Sequence, residues 1–320
     1  MILQGIDFGL VHVASGAVGY FGEGYPFHRW LGPLRPDFGG ATLVTKTATA
    51  FPREGNMAYR DDGLTPRSSF PDCIVIGWWH GCVLNSVGLG NPGLERLIDL
   101  GRWQRQESPF LISVATVSDD RAGRWNEFSQ VVRLLRDRCG EFSAPFGIQL
   151  NLSCPNCIPS SKSSVQEVQK LMRLARQGLS GVPVMLKLSV VTRPEEAAEL
   201  VGQSGCDALC VSNTVPWGSF PRRIDWSGIF GRDDSPLSQF GGGGLSGAPL
   251  LPLVREWLVE AKEIGLDCPV CAGGGILSPG DAESLFDCGA DAISLGSVAI
   301  LRPWRVGKIA RQFLRQGKES

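Results

Sequence analysis

Two amides and a thiol lie close together in the run from Asn151 to Cys157. The amides of Asn151 and Asn156 can both donate and accept hydrogen bonds, which suits a planar, imide-like ligand. The thiol of Cys154 can act as a general base where its thiolate is favoured, because its ordinary pKa is about 8.5. The run therefore predicts a polar ligand site with Cys154 as the candidate base.

Two lysines, Lys46 and Lys187, each close a short apolar run. A cation at such a position can stabilise negative charge that develops on a bound group. Burying a charge is costly, which favours a functional role for both lysines. The alternative is that each side chain extends its ammonium group out to solvent.

Glycines follow the last two apolar runs of the chain, at Ala272–Ile276 and at Gly296-Ser297. Glycine lets backbone N–H groups approach an anion, and the start of a following helix adds a favourable dipole. Gly274, Gly275, Gly296 and Ser297 are therefore candidates for a phosphate site. The alternative is that these glycines only form turns.

Eight short runs, apolar at nearly every position, indicate parallel strands buried on both faces. They are Val11–Ala14, Thr42–Lys46, Phe110–Ala115, Gly147–Asn151, Val184–Lys187, Ala208–Val211, Val270–Ala272 and Ala292–Leu295. Amphipathic helices lie between most of them, for example over 92–106 and 125–138. This alternation predicts an α/β fold, a (β/α)8 TIM barrel forming a single domain over 1–320.

Two connections, 47–110 and 215–248, are much longer than ordinary strand–helix loops. Both follow strands, so we expect long insertions on the C-terminal face of the barrel, where active sites lie. The first contains Asn85 and the second follows Asn213-Thr214. With Asn151 and Asn156 these residues would bring four amides to one small polar ligand. We expect the tryptophan and phenylalanine side chains to pack in the core.

Charge and cysteine usage exclude several classes of protein. Lys plus Arg is 31 and Asp plus Glu is 32, a formal net charge of −1. This balance argues against a nucleic-acid or anionic-membrane partner. The first seven residues contain no Lys or Arg, so we expect no export signal, a cytoplasmic location and reduced thiols. Cys154-x-x-Cys157 and Cys268-x-x-Cys271 leave a zinc or dithiol protein as an alternative. We expect no metal site, because Cys271 falls inside an apolar strand.

Taken together, the motifs resemble class 1 dihydroorotate dehydrogenases, soluble FMN-binding barrels with a cysteine base. The resemblance runs from about Val11 to about Lys308. It rests on the order and spacing of segments at 14–16, 45–47, 53–56, 84–93, 151–156, 187–189, 213–214, 243–247, 274–276 and 296–297.

The resemblance implies roles for individual residues. Cys154 would be the catalytic base, and Lys46 would lie beside both flavin and substrate. The implied substrate contacts are Lys46, Asn85, Ser86, Gly88, Leu89, Asn151, Asn156, Asn213 and Thr214. The implied FMN contacts are Ser15, Lys46, Thr47, Ser113, Asn151, Lys187, Ser212, Gly247, Gly274, Gly275, Gly296 and Ser297.

The implied activity is oxidation of (S)-dihydroorotate to orotate in UMP biosynthesis. Cys154 would remove a proton from C5 while C6 delivers a hydride to flavin N5. The alternative is an FMN oxidoreductase for another dihydropyrimidine. A homodimer is implied, with an electron-transfer subunit as a further expected partner. The electron acceptor stays open: Ser113 resembles the fumarate-using subtype, whereas Gly244–Gly247 resembles the NAD-linked one.

Overall fold

The computed structural model describes residues 1–152 and 165–316 of the 320-residue chain. The strands of this part are short, and most of those in the barrel are buried along their whole length. They are β1 Ile2–Leu3, β2 Ile6–Asp7, β3 Val11–Val13, β4 Ile74–Gly77, β5 Cys82–Asn85, β6 Phe110–Val114, β7 Phe146–Asn151, β8 Val184–Leu188, β9 Ala208–Val211, β10 Val215–Pro216, β11 Gly244–Gly247, β12 Val270–Gly273 and β13 Ala292–Leu295.

Seven of these strands form one parallel sheet in the order β3-β13-β12-β9-β8-β7-β6. The segment 42–48 closes the gap between its two edges. Parallel bridges join His12 to Thr42 on one side and Val44 to Leu111 on the other. The sheet is therefore a closed eight-stranded barrel, and the predicted (β/α)8 fold is confirmed. The second predicted strand is present as bridges rather than as a continuous strand.

Helices surround the barrel. They are α1 Pro26–Trp30, α2 Leu94–Asp99, α3 Arg121–Arg138, α4 Val165–Gly178, α5 Pro194–Ser204, α6 Trp226–Phe230, α7 Leu251–Glu263, α8 Pro279–Asp287, α9 Val298–Leu301 and α10 Val306–Gln316. The outer layer packs in the order α2, α3, α4, α5, α7, α8, α10. The helix expected over 92–106 is shorter than predicted: α2 ends at Asp99, and Gly101 follows with φ +65°, a left-handed conformation that interrupts a helix.

The two long insertions pair with each other, which the sequence did not predict. They form a four-stranded antiparallel sheet in the order β10-β11-β5-β4. Gly244 of β11 lies opposite Asn85 of β5, and Asn85 also lies opposite Ile74 of β4. This second sheet supplies part of the wall of the cavity described below.

The opposite, amino-terminal end of the barrel is filled by side chains. Leu3 and Phe8, from the β1–β2 hairpin region, pack with apolar residues near the starts of barrel strands, including Leu111, Ala208 and Ala292. This end is therefore closed, and the carboxyl-terminal mouth is left for a ligand. Among the described residues, no helix is both long enough and apolar enough to cross a bilayer.

Candidate active site

A cavity of about 1150 Å³ lies at the carboxyl-terminal mouth of the barrel. Its wall comes from residues at or just after strand ends, together with the insertions. Fifteen of the predicted site residues line it: Ser15, Lys46, Thr47, Asn85, Gly88, Leu89, Asn151, Lys187, Ser212, Asn213, Thr214, Gly274, Gly275, Gly296 and Ser297. Most of them lie far apart in the sequence, so the barrel is what brings them together.

Three hydroxyl groups form a chain across the strand ends. The Thr47 hydroxyl lies 2.8 Å from the hydroxyl of Ser15 and 2.9 Å from that of Ser113. The Thr45 hydroxyl accepts a 3.0 Å hydrogen bond from the backbone N–H of Ser113. Ser113 is fully buried and lies behind the cavity wall. Ser113 would therefore act on a ligand only indirectly, through its hydrogen bond with Thr47.

The amides of Asn151 and Asn213 continue this chain. Asn151 donates from Nδ2 to the Thr47 hydroxyl at 3.5 Å and accepts at Oδ1 from Asn213 Nδ2 at 2.9 Å. The Asn213 Oδ1 in turn accepts from the backbone N–H of Thr214 at 3.0 Å. These bonds fix the direction of the Asn151 amide, which is 6% exposed. The result is an oriented polar surface suited to a planar ligand with alternating donors and acceptors.

Gly274, Gly275 and Gly296, here called the glycine rim, lie at the ends of β12 and β13. Gly274 and Gly275 have φ values of +115° and +86°, a region that residues with a side chain rarely adopt. A Cβ at Gly275 would lie 2.7 Å from Leu251 Cβ, and one at Gly296 would lie 3.1 Å from Ala14 Cβ. Only backbone fits here, next to Ser297 at the start of α9.

Both predicted lysines are buried and line the cavity. Lys46 is 6% exposed and Lys187 is 8% exposed. Lys187 is aligned with Asn151 on one neighbouring strand and with Cys210 on the other. Neither lysine therefore extends its ammonium group into solvent.

Two further predicted residues, Ser86 and Gly247, do not line the cavity. The Ser86 hydroxyl donates to the Phe240 carbonyl at 2.6 Å, and the side chain is fully buried away from the cavity wall. Gly247 also lies off the wall, but its carbonyl oxygen is 3.0 Å from the position of a Cβ on Gly275. Cys154 and Asn156 fall outside the described residues.

Sequence reasoning missed an aromatic rim around the mouth. Several ring side chains line the cavity yet remain largely exposed: Trp30, Phe70, Trp78 and Trp304. The expectation of core packing is wrong for these four residues. Nothing in their spacing marked them, because they come from α1, from the first insertion and from the stretch before α10.

Of the second cysteine pair, Cys268 is half-buried and Cys271 is buried. Cys271 is buried in β12, as the sequence predicted, with its sulfur 3.5 Å from His12 Nδ1. Within residues 1–152 and 165–316, no group of three His, Cys, Asp or Glu side chains is arranged to hold a metal ion.

Comparison with known proteins identifies the family. The family model for dihydroorotate dehydrogenase matches residues 10–316. The chain belongs to the dihydroorotate dehydrogenase family. Family members are flavin-dependent oxidoreductases that act on CH–CH donors.

Several similar proteins are named as the catalytic subunit of dihydroorotate dehydrogenase B (NAD(+)). That of Endomicrobium trichonymphae is 32% identical over 293 residues, which is 90% of this chain and 82% of the relative. That of Thermotoga maritima is 29% identical over 291 residues, 90% of this chain and 89% of the relative.

Solved structures of the family share the fold. Ligand-free dihydroorotate dehydrogenase from Eimeria tenella superposes with a TM-score of 0.68 at 19% identity, covering 98% of this chain and 86% of that one. At this identity the likeness concerns the fold alone.

The residues that line this cavity fit a flavin, the type of cofactor that the family uses. Gly274, Gly275 and Gly296 line the cavity without side chains, and Gly296 directly precedes Ser297 at the start of α9, which suits an anionic group. The buried Lys187 supplies positive charge in the same cavity. A Cβ at any of the three glycines would lie within 3.2 Å of neighbouring protein atoms.

Proposed function

We propose that this chain oxidises dihydroorotate to orotate in pyrimidine biosynthesis, with FMN as its cofactor. The observation that carries the proposal is the Thr47–Asn151–Asn213–Thr214 network beside the glycine rim in one cavity. The network presents oriented amides for a pyrimidine ring, and the rim presents backbone for a phosphate. Family membership is consistent with both assignments.

The chain's own residues would bind and orient the ring. The side-chain amides of Asn151 and Asn213 are hydrogen-bonded to each other, so the orientation of both amides is fixed before substrate binds. Such preorganisation keeps the reacting C–H bonds aimed at their acceptors. A bound flavin would supply the two-electron acceptor. Lys187, buried at the same mouth, would offset negative charge that accumulates there.

We assign the base to Cys154 on the strength of the sequence resemblance. Cys154→Ser should retain flavin but lose at least about 100-fold in turnover near neutral pH, because a hydroxyl is a much weaker base than a thiol. Stopped-flow reduction of the flavin by substrate measures this step directly. Unchanged reduction in the variant would remove Cys154 from this role.

Substrate choice is tested by comparing dihydroorotate with dihydrouracil, which lacks the carboxylate. With an artificial dye as acceptor, we expect orotate formation from the first and little turnover of the second. The reverse preference would favour the alternative, an FMN oxidoreductase for another dihydropyrimidine.

We further propose that this chain passes its electrons to NAD⁺ through a different, electron-transfer subunit. We also propose that the chain itself forms a homodimer and is cytoplasmic. The relatives named as catalytic subunits and the Gly244–Gly247 run support this choice over fumarate. The isolated chain should then reduce a dye but not NAD⁺. Reduction of fumarate by the chain alone would contradict the choice. Light scattering should give twice the 34.5 kDa chain mass.

A further inference from the structure

The amino group of Lys46 is hydrogen-bonded to a buried tyrosine, Tyr20. Lys46 Nζ donates to the Tyr20 hydroxyl at 2.9 Å and also to the Gly90 carbonyl. The Tyr20 hydroxyl donates to the same carbonyl at 3.0 Å. The three groups therefore form a closed triangle, in which Tyr20 is completely buried.

Two aromatic rings flank the same amino group. Lys46 Nζ lies 4.9 Å from the ring centre of Tyr20 and 5.5 Å from that of Tyr59. Both distances are within the range of a cation–π interaction. The Tyr59 ring also packs on Gly90, where a Cβ would lie 2.9 Å from Tyr59 Cε2. The chain has 3 tyrosines, and two of them surround Lys46.

The triangle connects the buried Tyr20, in the segment after β3, to a loop at the cavity. Tyr20 is fixed through its carbonyl, which accepts from Trp103 Nε1 at 2.7 Å. Gly90, in contrast, belongs to the loop after β5. This loop places Gly88 and Leu89 on the cavity wall.

We infer that Tyr20 is a positioning residue, which directs the Lys46 amino group and, through Lys46, which also donates to the Gly90 carbonyl, sets the place of the loop 86–91 over the substrate site. The inference rests on the proposed function, because it assigns the loop and Lys46 to substrate binding. Burial raises the pKa of Tyr20 well above its ordinary value, so its hydroxyl stays protonated and can donate to Gly90.

A double-mutant cycle on orotate binding tests this inference. Tyr20→Phe keeps the ring and removes two hydrogen bonds, so we expect the Kd of the flavin-loaded protein for orotate to rise about tenfold. In the Lys46→Met background the same change should raise Kd less than about twofold, because Tyr20 acts through Lys46. Ser129→Ala, which removes a hydroxyl bonded to Trp125 within α3, is the control and should leave Kd unchanged.

The outcomes separate the inference from the proposed function. A tenfold loss in both backgrounds, or in neither, would overturn the positioning role. Wild-type protein that binds flavin but not orotate would instead overturn the proposed function. A second measurement needs no change at Tyr20: in protein labelled with fluorotyrosine, Lys46→Met should shift the ¹⁹F signals of Tyr20 and Tyr59. Unshifted signals would contradict the contact itself.

Discussion

At the scale of single residues, the backbone conformation of the glycine rim requires glycine at Gly275. Gly275 has φ +86°, and a Cβ there would lie 2.8 Å from the backbone nitrogen of Leu251. No side chain can be accommodated without moving α7. The rim is therefore sensitive to the smallest possible substitution.

Gly275→Ala should reduce flavin retention and lower the free energy of unfolding by about 1–3 kcal/mol, the usual cost of such backbone strain. The matched control is Gly280→Ala in α8, where a Cβ would meet nothing within 4 Å. Because alanine favours helices, the control should be neutral or up to about 1 kcal/mol more stable. Flavin content and urea unfolding measure both variants. Full flavin retention in Gly275→Ala would contradict the assignment of the glycine rim to flavin binding.

His12 shows how burial in the barrel interior makes stability depend on pH. Burial lowers its pKa from 6.5 to about 4, helped by the nearby charge of the N-terminal amine. A proton is therefore bound more tightly in the unfolded chain than in the folded one. This stabilisation is complete above pH 6.5 and is lost as the pH falls towards 4.

The free energy of unfolding should accordingly fall by about 2 kcal/mol between pH 7 and pH 5 through His12 alone. Urea unfolding at the two pH values, repeated for His12→Asn, isolates this contribution, because carboxylates titrate in both proteins. Equal pH dependence in the two proteins would show that His12 does not titrate as described.

The sequence revealed the polar site residues because each lies at the end of an apolar strand, and strand ends meet at the mouth. Asn151, Lys187 and Asn213 are of this kind. Tyr20 could not be predicted in this way. Its contact with Lys46 joins residues 26 apart through a loop whose path depends on the folded barrel.

At the scale of elements, a buried ion pair joins the starts of two neighbouring helices. Arg124 in the first turns of α3 donates to both carboxylate oxygens of Glu167 in α4, at 2.6 and 3.0 Å. Arg124 also donates to the carbonyls of Ser118 and Asp119. The pair therefore fixes the loop before α3 and the first turn of α4 together.

Glu167→Gln should lower the free energy of unfolding by about 3 kcal/mol, because it removes the carboxylate that is hydrogen-bonded to the buried Arg124. The control is Glu256→Gln, which breaks the exposed pair with Arg223 of similar geometry. Solvent screening makes exposed pairs weak, so its unfolding midpoint should hardly change. Equal effects in the two variants would contradict the importance of burial.

The barrel strands were predictable for a local reason: a strand buried on both faces is apolar at almost every position. The antiparallel sheet of β4, β5, β10 and β11 was not. Its pairing joins Asn85 to Gly244, 159 residues away, and its strands have four residues or fewer. Pairing of this range depends on where the barrel places the two insertions, which no local pattern records.

At the scale of the whole molecule, closure of the barrel accounts for the site. The amino-terminal end is filled by apolar side chains, whereas the carboxyl-terminal end gathers the amides, lysines and glycines in one cavity. The aromatic rim of Trp30, Phe70, Trp78 and Trp304 leaves that cavity open to its surroundings.

The most direct measurement is anaerobic reduction of the purified, flavin-loaded protein by dihydroorotate. We expect the visible absorption band of the oxidised flavin to disappear, with one orotate formed for each flavin reduced. A band that persists in the presence of excess dihydroorotate, in protein shown to retain its flavin, would contradict the proposed function.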